Sequence, residues 1–208
     1  MFIDYFPYES HNNDYIIGTY MFIQTEQTPN PQTLKFLPGK VVMDQGTAFF
    51  KNIAEADNSP FAKRLLNVDG VAGVFFGKDF ITITKNNSLE WQVMKPEILG
   101  AIMSHYNSED QTILNEEKTT KDNVSNDDSQ DSDIVKQIKE LLETRVRPAV
   151  AMDGGDIIYD KYENGIVYLQ MQGSCSGCPS SSATLKMGIE NMLKHYIPEI
   201  KEVRPVSV

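Results

Sequence analysis

The chain has 208 residues, 40% of them apolar, two cysteines and a formal net charge of −10. That apolar share supports one or two modest cores. No stretch approaches the roughly 20 apolar residues of a membrane span, and two cysteines are too few for a secreted disulfide framework. The acidity lies mostly outside the parts that read as folded, −3 in residues 1–20 and −6 in residues 107–131, and no basic patch that would hold nucleic acid is present.

Residues 1–20 carry six aromatics and no Lys or Arg. That is the opposite of an Arg-rich transit peptide, and it lacks the basic start of a signal peptide. The segment reads as a disordered extension that names no compartment.

Residues 21–106 alternate short strands and helices. Residues 21–26 and 33–37 read as strands about a Pro29-Asn30-Pro31 turn, while 71–76 and 80–84 pair about Gly77-Lys78-Asp79. Ser59-Pro60 opens a helix through Asn67, and residues 88–106 form another that Pro96 is expected to split. This is a small α+β domain with eight acidic and eight basic residues and no catalytic spacing. His105 reads as a surface or helix-end residue with no ligand partner nearby in sequence.

Residues 107–131 hold eight acids, two lysines and no aromatic, Gly or Pro. Such a segment cannot bury enough apolar surface to offset its ordering cost, and reads as a disordered acidic linker that leaves its neighbours to move independently. From 132 to 208 a second domain follows. Ser132 caps a helix carrying Ile134, Val135, Ile138, Leu141, Leu142 and Val146, which Pro148 is expected to end. Residues 156–162 read as a strand, Asn164-Gly165 as a hairpin turn and 166–172 as its partner. A helix from Pro179 to Tyr196 and a strand at 201–206 complete an αββαβ order. The fold class is therefore α+β: two small domains joined by the acidic linker.

Both cysteines, Cys175 and Cys178, stand at C-x-x-C spacing between a strand and a helix, where the helix N-terminus is expected to lower a thiol pKa. The flanking serines and Gly177 predict an open loop with exposed sulfurs. Two thiolates do not complete a structural zinc site or an ordinary iron-sulfur cluster. His195 lies roughly 20 Å further along the helix at about 1.5 Å per residue. A second copy of the chain can supply the missing pair. Two other readings stand beside this shared site. One is a buried pair with no ligand. The other is a thioredoxin-like dithiol, against which the surroundings of the motif do not read as a βαβ unit and the single Trp91 is far away. The run Met152-Asp153-Gly154-Gly155-Asp156 reads either as a loop flanking the cysteines or as a tight turn before a strand, with Asp153 and Asp156 in capping roles.

That run, followed by Gly173-Ser174-Cys175-Ser176-Gly177-Cys178-Pro179-Ser180-Ser181, resembles the NifU C-terminal domain of iron-sulfur scaffold and carrier proteins. A second block resembles the N-terminal domain of the Nfu branch: Met21-Phe22-Ile23-Gln24-Thr25, Thr28-Pro29-Asn30-Pro31, Leu34-Lys35-Phe36 and Pro38-Gly39, then Gly73-Val74-Phe75-Phe76-Gly77 and Phe80-Ile81-Thr82-Ile83-Thr84-Lys85. Because this block begins at Met21, residues 1–20 are expected to precede the native start. The resemblance implies a non-enzymatic carrier in which Cys175 and Cys178 of two subunits hold a labile cluster of the 4Fe-4S type. Its implied partners are a homodimer mate, upstream assembly machinery and client apoproteins. The N-terminal domain would be an accessory module for client contacts. The compartment would be a bacterial cytoplasm, or the mitochondrial matrix of a eukaryote.

Overall fold

A computed structural model of the chain describes residues 21–108, 112–114, 132–177 and 179–206. The expectations for residues 1–20, for 115–131 and for Cys178 lie outside the described residues.

The N-terminal domain is an antiparallel sheet of five strands, β1 (Gln24–Gln27), β2 (Thr33–Leu37), β3 (Ala48–Phe50), β4 (Val71–Phe76) and β5 (Ile81–Lys85), in spatial order β1-β2-β5-β4-β3. Its helices are α1 (Pro60–Leu66) and α2 (Trp91–Asn107). Ser59 caps α1 by accepting from Ala62 N at 3.1 Å, with Pro60 at the first helical position where its missing N–H costs nothing. The register pairs Leu34 with Ile83 and Phe36 with Ile81, and these line one face with Val74 and Phe76. Phe61 and Leu65 of α1 and Met94, Ile98 and Ile102 of α2 complete that core. Pro96 does not split α2. It removes a single bond near the start of a helix whose buried side chains recur every four residues, so packing holds the turn together. The start of the expected linker also belongs to this domain: Leu114 N donates to Asn58 O at 2.8 Å, and the Ser59 hydroxyl donates to Thr112 O.

The C-terminal domain opens with α3 (Asp133–Leu141), continues through a π turn (Leu142–Val146) into α4 (Arg147–Met152), and then forms β6 (Gly155–Glu163), β7 (Ile166–Gly173), α5 (Pro179–Tyr196) and β8 (Glu202–Val206). Pro148 was expected to end the first helix, and instead it sits in the first turn of α4. The wider π turn ahead of it changes the hydrogen-bond register where a proline lacks its donor and would clash with the preceding turn. The β6–β7 hairpin turns on Asn164 (φ 53°) and Gly165 (φ 85°), both left-handed as a type I′ turn requires. β8 pairs with β7 in parallel, so β7, α5 and β8 form a βαβ crossover around the cysteine motif. The expectation that no such unit surrounds the cysteines is therefore corrected: a short strand after Ile200 was legible, its direction was not.

The domains are not separate. The second face of the N-terminal sheet carries the row Lys35, Thr82 and Phe75, which the register places side by side across β2, β5 and β4. These residues are 7%, 0% and 0% exposed, because the C-terminal domain covers them. Lys35 Nζ donates to Met152 O at 2.9 Å, and Thr82 Oγ1 donates to Gly154 O at 2.7 Å. The independence expected of the linker gives way to a docked arrangement in which a polar and aromatic sheet face meets backbone carbonyls. No helix among the described residues is long and apolar enough to cross a membrane.

Candidate functional site

The turn from β7 into α5 carries the cysteine motif. Gly173 (φ 60°) and Gly177 (φ 84°) reverse the chain, and both the Ser176 amide (3.1 Å) and its hydroxyl (2.8 Å) donate to Gly173 O. The Cys175 amide donates to Gln172 O at 3.3 Å. These bonds curl the turn inward. Cys175 is 6% exposed and packs in the core of its own domain, contrary to the open loop expected from the serines. Cys178, the second candidate ligand, stands one residue before α5, outside the described residues.

The wall facing Cys175 is the Gly154-Gly155 turn. A Cβ placed on Gly155 would come within 2.5 Å of Cys175 Sγ and 2.7 Å of Gln172 O. A Cβ on Gly173 would meet Gly154 O at 2.7 Å and Gly155 Cα at 3.0 Å. The Ser174 amide closes the assembly by donating to Gly154 O at 3.2 Å. The Met152 to Asp156 run is a tight turn directly before β6, as one of its two readings had it, and that turn lies against Cys175. Burial pushes the Cys175 thiol up to about 12, Asp153 and Asp156 add to the rise, and a hydrogen bond with Ser174 opposes it. The expected lowering of this thiol by the helix end is not what the buried sulfur shows, since burial is the largest influence on it and acts in the other direction.

Asp156 is an anchor between elements. Its buried carboxylate accepts from Arg147 Nε and Nη2, each at 2.8 Å, from the Ile157 amide at 2.8 Å and from Thr47 Oγ1 at 2.9 Å. It pins the start of β6 to α4, with Glu143 accepting from Arg147 Nη1 at 2.7 Å. His105 is buried, not at the surface: it ends α2 as expected, but its ring stacks on Phe61 with centroids 3.7 Å apart.

Sequence reasoning missed the residues that the other domain brings to this site. Asn30 Nδ2 donates to Ser174 O at 3.3 Å and to Ser176 O at 2.9 Å, on either side of Cys175. Thr47, Lys35 and Thr82 reach Asp156, Met152 and Gly154. One signal was available: Val74-Phe75-Phe76 and Phe80-Ile81 are apolar at successive positions, the pattern of strands covered on both faces.

The family model for the scaffold protein Nfu/NifU N-terminal domain matches residues 23–109, and that for the NifU-like domain matches residues 138–204. The chain is 54% identical over 186 residues to "NifU-like protein 4, mitochondrial" of Arabidopsis thaliana, an alignment covering 88% of this chain and 65% of that protein. It is 50% identical over 188 residues to "NFU1 iron-sulfur cluster scaffold homolog, mitochondrial" of Homo sapiens, covering 90% of this chain and 72% of that protein. The chain thus spans about two thirds of the length of the curated relatives it matches. With two family domains in sequence and half of the aligned residues shared along most of its length, the chain belongs to the Nfu/NifU family.

Proposed function

We propose that this protein carries a labile iron-sulfur cluster, of the 4Fe-4S type, between two copies of the chain, and passes it to client apoproteins. Each copy gives Cys175 and Cys178, which are all the cysteines the sequence has, so a cluster held by four thiolates draws on two copies. One observation carries the reading: the chain's two cysteines stand at C-x-x-C spacing on the strand-to-helix turn of its NifU-like domain, where Cys175 packs against the Gly154-Gly155 turn. The names of the relatives support a scaffold role and a mitochondrial compartment. The cluster is cargo. The chain's part is to present thiolates on a short turn from which an acceptor's thiols can take over its ligands.

A dithiol oxidoreductase is the second reading, favoured by the βαβ crossover with the motif at its helix start. Anaerobic reconstitution separates the two. The carrier takes up about four irons and four sulfides per dimer, with a Mössbauer signature of a 4Fe-4S cluster. A monomer that holds a full complement of iron, or a colourless protein that reduces insulin disulfides, overturns it.

A further inference from the structure

We propose that the second face of the N-terminal sheet, with Asn30 at its rim, is a clamp that holds the cysteine turn with its thiol inward, and that a cluster is bridged between two copies only after the clamp lets go. Two copies must bring their thiols out to a common centre, and this second half of the proposal rests on the carrier reading above. In the clamped state Cys175 points the other way. Its sulfur lies against Gly155, and the residue is 6% exposed.

Five side chains of one domain converge on the turn and its wall in the other. Asn30 holds the carbonyls of Ser174 and Ser176, which flank Cys175, so rotation of this segment to turn the sulfur outward breaks at least one of these bonds. Thr82 holds Gly154 O, Lys35 holds Met152 O, and Thr47 holds the Asp156 carboxylate. Phe75 closes the apolar part, with its ring edge 3.0 Å from where a Cβ of Gly173 would stand. Asn30 is itself held in position by its own loop, where its Oδ1 accepts from the Gln32 amide at 3.0 Å, which fixes the amide group and aims Nδ2 at the turn. Asn30 is 1% exposed and Thr82 is 0% exposed, so the Asn30 amide and the Thr82 hydroxyl each donate to the other domain and not to water. Buried donors left without these carbonyls are costly, and that makes the docked arrangement a defined state.

The test uses the full chain without metal and follows alkylation of Cys175 by N-ethylmaleimide with peptide mass mapping. Asn30→Ala is expected to raise the Cys175 rate about thirtyfold, the effect of losing two hydrogen bonds of ordinary net strength. Thr82→Val, which keeps the side chain's shape and loses the bond to Gly154 O, is expected to raise it by a smaller factor. Near-UV circular dichroism reports whether the N-terminal domain remains folded, and if Asn30→Ala disturbs it, Thr82→Val decides. On anaerobic loading, both variants are expected to reach the iron content of the unsubstituted protein sooner. Unchanged Cys175 rates in folded variants overturn the clamp, as does loading that is no faster. A protein that takes up no cluster at all overturns the carrier reading, while the alkylation rates still decide whether the clamp exists.

Discussion

Gly155 stands so close to Cys175 that any side chain there would begin 2.5 Å from the sulfur. The neighbours of that point are the backbone of Gln172 and Cys175, which cannot swing aside as a flexible side chain would. Gly155→Ala is therefore expected to displace the cysteine turn, to destabilise the apo protein by about 1–3 kcal/mol as other overpacked sites do, and, by pushing the sulfur out of its inward position, to speed iron uptake on reconstitution. Thermal unfolding of the apo form and iron analysis during loading check it. A variant that loads and melts like the parent contradicts the packing described.

Cys175→Ala and Cys178→Ala are each expected to abolish stable cluster binding, since a dimer then keeps only two of its four thiolates. Cys175→Ala carries an added cost of about 1 kcal/mol, because its sulfur is part of the C-terminal core and not an ornament on an open loop. Absorbance of reconstituted samples and denaturant midpoints of the apo proteins measure the two effects separately.

The Asp156 carboxylate ties α4, β6 and the N-terminal domain together through Arg147, Ile157 and Thr47. Asp156→Ala is expected to cost about 2–4 kcal/mol, leaving the Arg147 guanidinium with Glu143 alone and the Ile157 amide without its acceptor. Thr47→Val, which removes one of the four bonds, is expected to cost about 1 kcal/mol. Urea unfolding of both variants tests this ordering, and equal costs contradict it.

Glu190 links α5 to β8 by accepting from the Val203 amide at 3.0 Å and pairing with Lys194. Lys194 first, and the Val203 amide second, hold its carboxyl below the usual carboxylate range. A carboxylate whose pKa is lower in the folded state adds stability that is present above its unfolded pKa, near 4.3, and disappears as pH falls through the folded value. The Glu190→Gln variant is therefore expected to show a shallower loss of stability below about pH 4.5 than the parent. Thermal midpoints from pH 6 down to 3 provide the measurement, and parallel curves for the two proteins contradict it.

What could be read from the sequence was local. The Asn164-Gly165 hairpin, the strand up to the cysteines and the helix from Pro179 to Tyr196 rest on turn chemistry and periodicity within a few residues, and they stand where those signals put them. Pro96 and Pro148 misled for one reason: each was read as a break in isolation, whereas side-chain packing in one case and a π turn in the other absorb the missing donor. The cysteine turn was read as exposed because its serines and glycine are small and polar. Its burial comes from Gly155 and from Asn30, and Asn30 lies 146 positions from Ser176. No window of sequence holds both partners of such a contact.

The sheet face that receives the cysteine domain also has a history within each molecule's synthesis. Every strand of that sheet and both of its helices lie before residue 108. At roughly 5–20 residues per second, the roughly 65 residues from there to Gly173 take about 3–13 s to be made. Throughout that interval Phe75 has no Gly173 to rest on, and the face is bare on the nascent chain. Lys35 and Thr82 sit beside Phe75 in the same row, so the bare face is polar as well as aromatic. The polar residues that later grip the carbonyls of Met152 and Gly154 thus also interrupt the apolar surface of that bare face.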